Sequence, residues 1–298
     1  MKRKLIKQGD NSLTLTLPRK WTKAHNLSGG DEVNIEEEDE SNRLLVDTTG
    51  LKKQLKSTTL TIEEAKSNEY RSLIGGLYRG GYDQIKIKYN NPKVISELQR
   101  TVNSLYGFEI FDVKDKSCVI RSVFNEEPTE ITSHFRKMIY LIKVIQDTIN
   151  EDISSKKYDT KLILEYRNNV LKQRDIIQRT ITQQKLIDSK HFPYYALASN
   201  LWTIARNYYF LYQYLETNPK ITNKDKEYIE ETNNFFNDFF KKTSETNTLK
   251  VHKKYTKQTK LGTKLMNDKK HASLLVSYCL FITQKVQACN SHILLLNH

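Results

Sequence analysis

Residues 13–17 read Leu-Thr-Leu-Thr-Leu and run straight into Pro18. Strict alternation marks a strand with one apolar and one polar face. The segment around it, residues 1–49, has too little chain to cover that face, and a lone hairpin is marginal in water. This segment is therefore expected to pair with another copy or another domain. Residues 4–7 read as a first short strand and residues 12–17 as a second. Pro18 suits the first position of a helix, where its missing N–H is no loss, and Trp21 to His25 continue it. Ser28-Gly29-Gly30-Asp31 supplies a turn. Residues 33–36 and 44–46 read as two more strands, joined by an acidic loop over residues 37–40.

Charge is segregated within this small segment. Residues 1–23 carry Lys2, Arg3, Lys4, Lys7, Arg19, Lys20 and Lys23 against Asp10, whereas residues 31–40 hold seven acids and no base. The whole chain has a formal net charge of +13, so an anionic partner is the first expectation. Charge alone admits nucleic acid, an acidic membrane surface or a phosphorylated ligand. Segregation on one small domain favours a face that binds phosphate backbone.

The second segment, residues 57–124, alternates between strand and helix signals. Residues 57–60 read as a strand, and Thr61 with Glu64 as a capping box that opens a helix. Gly80-Gly81 stops that helix. Residues 82–89 form a strand with Ile85 and Ile87 inward, Asn91-Pro92 opens a second helix ending near Gly107, and residues 108–113 and 118–123 pair as a hairpin. The sum is a small α+β domain of about two helices and four strands.

The third segment, residues 128–298, reads as helical throughout. Pro128, Asp159, Pro193, Thr222 (with Asp225) and Asn267-Asp268 mark helix starts. Leu162, Tyr166, Val170, Ile177 and Ile181 share one face. So do Leu275, Tyr278, Ile282, Val286, Cys289, Ile293 and Leu296, in the three-and-four step of a bundle seam. Asn218-Pro219 divides six candidate helices into three and three, the layout of a duplicated three-helix unit.

Cys118, Cys279 and Cys289 lack metal-ligand spacing and are odd in number, which predicts free thiols in a reducing, cytoplasmic setting. The apolar stretch 272–296 is broken by Gln284, Lys285 and Gln287, so no membrane insertion is expected. The aromatic residues Trp202, Tyr208, Tyr209, Phe210, Tyr212 and Tyr214, and Phe235, Phe236, Phe239 and Phe240, are expected to pack in the bundle or in a dimer contact. His134, His191, His252 and His271 have no paired ligand spacing. Gly75-Gly76 and Gly80-Gly81 lack the order of a phosphate loop and are assigned turn and packing roles. No nucleophile, base and orienting group occur together, so no enzymatic activity and no cofactor are expected.

The run IKQGDNSLTLTLPRKWTKAHNLSGGDEVNI resembles the AbrB/SpoVT/MazE swapped-hairpin domain. It has a basic first strand, a small polar turn, an alternating strand ending in proline and a basic helix, then Leu27, Gly30, Asp31 and Val33 in the Leu-x-x-Gly-Asp-x-Val pattern. The resemblance implies an interleaved homodimer or higher assembly. It also implies that Arg3, Lys4, Lys7, Arg19 and Lys20 contact double-stranded DNA. The runs YRSLIGGLYRGGYDQIKI and LYGFEIFD resemble the middle region of archaeal PhoU-like phosphate uptake regulators, which join an AbrB-like domain to a helical PhoU domain of repeated three-helix bundles. The implied fold is multidomain, with a small swapped-hairpin β domain, a small α+β domain and an all-α six-helix bundle.

PhoU-type bundles carry Glu-x-x-x-Asp motifs that assemble metal clusters, since carboxylates four apart share a helix face. Here Glu165 is followed four residues on by Asn169. The matching helix of the second half, about residues 249–266, has no acid. It carries Lys250, Lys253, Lys254, Lys257, Lys260 and Lys264 beside the apolar Val251, Tyr255, Leu261 and Leu265. No metal site is expected, and Lys250, Lys254, Lys257 and Lys264 are candidates for an anion site. Two functions follow from the resemblance. One is a DNA-binding transcriptional regulator of phosphate uptake and homeostasis, its helical domain sensing or relaying phosphate status. The other is a PhoU-type signalling adaptor that acts on a phosphate transporter or sensor kinase, the first segment only dimerising. The basic first strand favours the regulator.

Overall fold

The computed structural model of the protein describes residues 2–9, 12–38, 43–48, 55–62, 67–123, 130–184, 191–217, 219–241, 248–268 and 273–297. Several expected features (Asp39 and Glu40 of the acidic loop, Glu64, Pro128, Asn218 and His271) lie outside these residues. The chain divides into two compact units, Met1–Leu55 and Lys56–His298.

In the first unit, strands β1 (Ile6–Gln8) and β2 (Ser12–Thr14) form an antiparallel pair. Thr14 Oγ1 donates to the Ile6 carbonyl at 3.2 Å, and Ser12 Oγ donates to the Gln8 carbonyl. The ladder ends at Thr14, so the second strand is shorter than the alternation of residues 12–17 suggests. Pro18 caps helix α1 (Arg19–Ala24) from outside, and its carbonyl accepts the amides of Trp21 at 2.8 Å and Thr22 at 3.0 Å. The Ser28–Asp31 turn closes as expected, with Asp31 Oδ2 accepting the Ser28 amide at 2.7 Å. Strands β3 (Asn34–Glu38) and β4 (Arg43–Asp47) form a second antiparallel pair.

The described residues of this unit form no buried core. Among its described residues no side chain is buried, and Leu13 and Leu15 are 62% and 50% exposed. Ile6, Ile35 and Leu44 are exposed as well. Fully burying one such side chain is worth about 1.5–3 kcal/mol, so covering this set is a strong drive for association.

The second unit begins with a four-stranded sheet. Strands β5 (Ser57–Ile62), β6 (Gln84–Tyr89), β7 (Phe108–Lys114) and β8 (Ser117–Ser122) lie in the order β5-β6-β8-β7. Helices α2 (Ser67–Arg79) and α3 (Val94–Asn103) complete this layer. The β5–β6 pair is parallel, with α2 as its crossover, and the other pairs are antiparallel. Ile74, Tyr78, Ile85, Ile87, Leu98, Val102 and Ile120 make the core of this layer. The capping box expected at Thr61 does not form. Thr61 is a strand residue opposite Lys88, and Leu60 and Ile62 beside it pack inward. The period-two burial of the strand outweighs the local helix signal.

The rest of the unit is a bundle. Among the described residues its helices are α4 (Ile131–Ser155), α5 (Thr160–Gln184), α6 (His191–Glu216), α7 (Asn223–Lys241), α8 (Thr248–Asn267) and α9 (Ser273–Asn297). Caps fall where Asp159 and Thr222 placed them. Asp159 Oδ1 accepts the amides of Lys161 and Leu162 at 3.0 and 3.1 Å. The Thr222 amide donates to Asp225 Oδ2 at 2.7 Å, while the Asp225 amide donates to Thr222 Oγ1 at 3.2 Å. Pro193 sits in the first turn of α6, where no amide is missed. Asn267-Asp268 ends α8 instead of opening α9, whose described part starts at Ser273. Helices α4, α5 and α6 pack mutually, as do α7, α8 and α9, and the two sets meet through α6 against α9 and α4 against α7. In α8, a Cβ on Gly262 would come within 2.3 Å of the Tyr228 hydroxyl and 2.6 Å of Leu280 Cδ2, so only glycine allows these three helices to approach so closely.

Helix α2 of the sheet layer packs on α5 of the bundle. Arg179 of α5 is the fastener. Its Nη1 donates to the carbonyls of Tyr78 at 3.0 Å and Tyr82 at 2.7 Å, and its Nη2 to Asp83 Oδ1 at 3.1 Å. The guanidinium carbon lies 4.9 Å from the Tyr78 ring centroid and 5.0 Å from that of Phe108. Arg179 and Asp83 are both buried, so the pair is screened little by solvent.

Two outcomes are expected. Arg179→Ala leaves the buried Asp83 carboxylate without its charge partner, with only the Lys56 amide and Gln183, among the described residues, still donating to it, and should cost about 3–5 kcal/mol, read as a lowered urea midpoint at unchanged slope. Light scattering on the full chain should give a dimer or larger. Leu13→Asp with Leu15→Asp should give a monomer with unchanged helical circular dichroism, and a wild-type monomer at micromolar concentration would contradict the uncovered-face argument.

Candidate nucleic-acid interface

Arg3, Lys4 and Lys7 are exposed on the strand leading into and through β1, and Arg19 and Lys20 are the exposed first two residues of α1. Five of the expected DNA contacts are thus presented to solvent on the first hairpin and the helix that follows it. The acids take a different place. Glu36, Glu37 and Glu38 lie in β3, which pairs with β4, so opposite charges sit on different hairpins of the same unit.

Register separates Lys7 from its neighbours. Lys7 lies opposite Leu13, whereas Ile6 lies opposite Thr14. Residues directly opposite in an antiparallel pair share a face, so Lys7 stands on the leucine side of the hairpin. A partner that covers Leu13 meets the Lys7 stem as well, and a lysine tolerates that by keeping only its ammonium in water.

The lysine stripe of α8 is less uniform than its sequence. Lys254 pairs with Asp238 of α7 at 2.5 Å, which neutralises one of the candidate anion ligands. Lys257 and Lys264 are exposed, and the side chain of Lys250 lies outside the described residues. Glu165 and Asn169 are exposed on α5, and among the described residues no three His, Cys, Asp or Glu side chains come together in metal-binding geometry. His134 Nδ1 lies 2.7 Å from Gln173 Oε1 in a contact between α4 and α5. Cys118, Cys279 and Cys289 are free and buried. Burial pushes the Cys118 and Cys279 thiols up to about 11 and about 12, so neither is poised as a nucleophile.

The aromatic run of α6 splits by position. Tyr208 and Tyr212 are buried in the bundle, and the Tyr208 hydroxyl accepts from Gln146 Nε2 at 3.0 Å and donates to Asn233 Oδ1 at 2.8 Å. Trp202 instead lies beneath arginines: the guanidinium carbons of Arg167 and Arg174 are 4.6 and 5.5 Å from its ring centroid. Sequence reasoning missed this arginine group. Its available signal was the seven-residue spacing of Arg167 and Arg174, which places both on one face of a helix.

Residues 6–50 match the family model described as antidote-toxin recognition MazE, bacterial antitoxin. The matched stretch spans both hairpins and α1, and it makes the first unit a MazE/AbrB-like domain. No curated protein and no solved structure matches the chain. Among the described residues no helix is long and apolar enough to cross a membrane.

Proposed function

We propose that this chain is a dimeric DNA-binding transcriptional regulator of phosphate uptake, and that it is not an enzyme. The observation that carries the DNA reading is the exposure of Arg3, Lys4, Lys7, Arg19 and Lys20 on the first helix and on a hairpin whose Leu5, Ile6, Leu13 and Leu15 are uncovered. A second copy over the leucines doubles every cation at once, and paired clusters of cations suit the two strands of a duplex. The match of this region to an antitoxin family supports regulation through DNA. The phosphate reading rests on the resemblance of the middle and helical regions to archaeal PhoU-like regulators, and the packing of the helices in two sets of three is consistent with it. A helical sensor joined to a DNA-binding domain gives effector status a route to promoter occupancy in the cytoplasm.

If these cations touch phosphates, affinity for a promoter duplex falls steeply with salt. Each contact removed lowers the magnitude of the log–log slope by about 0.9. Arg19→Ala with Lys20→Ala should remove up to roughly four ion pairs per dimer by that rule. Both residues are exposed, so circular dichroism should be unchanged. Fluorescence anisotropy across a salt series reads the slope. A folded double variant with wild-type affinity and slope would transfer the case to the adaptor, in which a transporter or sensor kinase is the partner.

A further inference from the structure

Three arginines of the second unit converge on one carboxylate, and two more lie beside them. Asp175 of α5 is 1% exposed, and it receives Arg71 Nη2 at 2.5 Å, Arg79 Nη1 at 3.1 Å and Arg174 Nη2 at 2.5 Å. Arg174 Nε also donates to it at 3.0 Å. Arg167 lies one face-repeat before Arg174 on the same helix and stacks on Trp202 and Tyr209 of α6, at 4.6 and 5.4 Å. Arg206 is four residues beyond Trp202, on the same side of α6.

Asp175 cannot balance this group. Among the described residues, neither Arg167 nor Arg206 has a carboxylate within ion-pair distance, and Arg167 Nε is buried without a hydrogen-bond acceptor. Burial holds the Arg167 pKa below its ordinary value, and Arg206, Arg71 and Arg174 push it the same way against the opposing effect of Tyr209. Arg71 and Arg79 keep 23% of their side-chain surface exposed and Arg174 keeps 14%, so solvent and a small ion reach the group. Its crowding is built into the fold. A Cβ on Gly75, midway between Arg71 and Arg79 in α2, would come within 2.6 Å of Arg71 Nη1 and 3.2 Å of Arg79 Nη1. Glycine leaves room for both guanidiniums to lie over the helix.

We propose that Arg71, Arg79, Arg167, Arg174 and Arg206 form a site for a phosphate oxyanion. A guanidinium presents five N–H donors in a planar fork that matches two phosphate oxygens. Arg71 and Arg79 each reach Asp175 through one terminal nitrogen, so each has donors left for a second acceptor. Asp175 then acts as the internal counter-charge that orients three of the five arginines. A bound dianion offsets the remaining repulsion and leaves Asp175 in place. As the effector site of the regulator above, this inference rests on that reading; as an anion site it stands on α2, α5 and α6 alone.

The test is isothermal titration calorimetry of the full chain without DNA, in low-chloride buffer, with inorganic phosphate in one arm and ATP in the other. Saturable binding of inorganic phosphate identifies the free ion as the ligand, and saturable binding of ATP alone identifies a phosphoryl group on a larger molecule. Arg167→Gln with Arg206→Gln should weaken binding at least tenfold. Arg206→Glu, at an exposed position, should weaken it with the melting temperature and circular dichroism unchanged. No heat from either ligand at millimolar concentration, or wild-type affinity in folded Arg206→Glu, overturns the site. Because no DNA is present, that outcome is separate from any failure of the promoter-binding measurement.

Discussion

The second unit depends on α5, which carries arginines that hold the sheet layer against the bundle. Arg179 donates to the carbonyls of Tyr78 and Tyr82, and it neutralises Asp83 at the same contact. About one turn earlier Asp175 draws Arg71 and Arg79 of α2 onto the same helix. These are partly or fully buried ionic contacts, which are costly to break and specify one geometry. They fix α2 on α5, and with it the parallel crossover that α2 makes between β5 and β6.

The first unit follows the opposite principle. Its strands pair within two-stranded hairpins, yet Leu5, Ile6, Leu13, Leu15, Ile35 and Leu44 remain exposed. Local hydrogen bonding therefore defines the shape of each hairpin, and association supplies the missing burial. Under the proposed function, this arrangement couples dimerisation to DNA binding. A second copy that covers Leu13 and Leu15 would also bring together two sets of Arg3, Lys4, Arg19 and Lys20. The Lys7 stem, on the leucine side of β1, links the two surfaces.

Features carried by adjacent residues were legible in the sequence. The caps at Asp159 and Thr222 formed because each needs only a side chain and amides two or three positions away. The bundle faces followed from helical period, and the uncovered hairpin followed from alternation in a segment too small for a core. Thr61 misled because a capping box and a strand that alternates into a core use the same residue types, and tertiary burial of Ile62 decided between them. Asn267-Asp268 misled because the pair that starts one helix also ends another. The arginine group was illegible for a different reason: its members come from three helices, and only folding brings them together. Lys254 shows the converse, since its neighbour Asp238 belongs to another helix and cancels part of a stripe that looked uniform.

In the proposed function the first unit places this chain on specific DNA and the second unit makes occupancy respond to phosphate. Chromatin pull-down of the full chain, with and without phosphate in the medium, tests both parts together, with a chain lacking residues 1–55 as the control. Enrichment at discrete promoters that changes with phosphate supply and vanishes without residues 1–55 is the expected result. Enrichment indistinguishable from the truncated chain would contradict the claim.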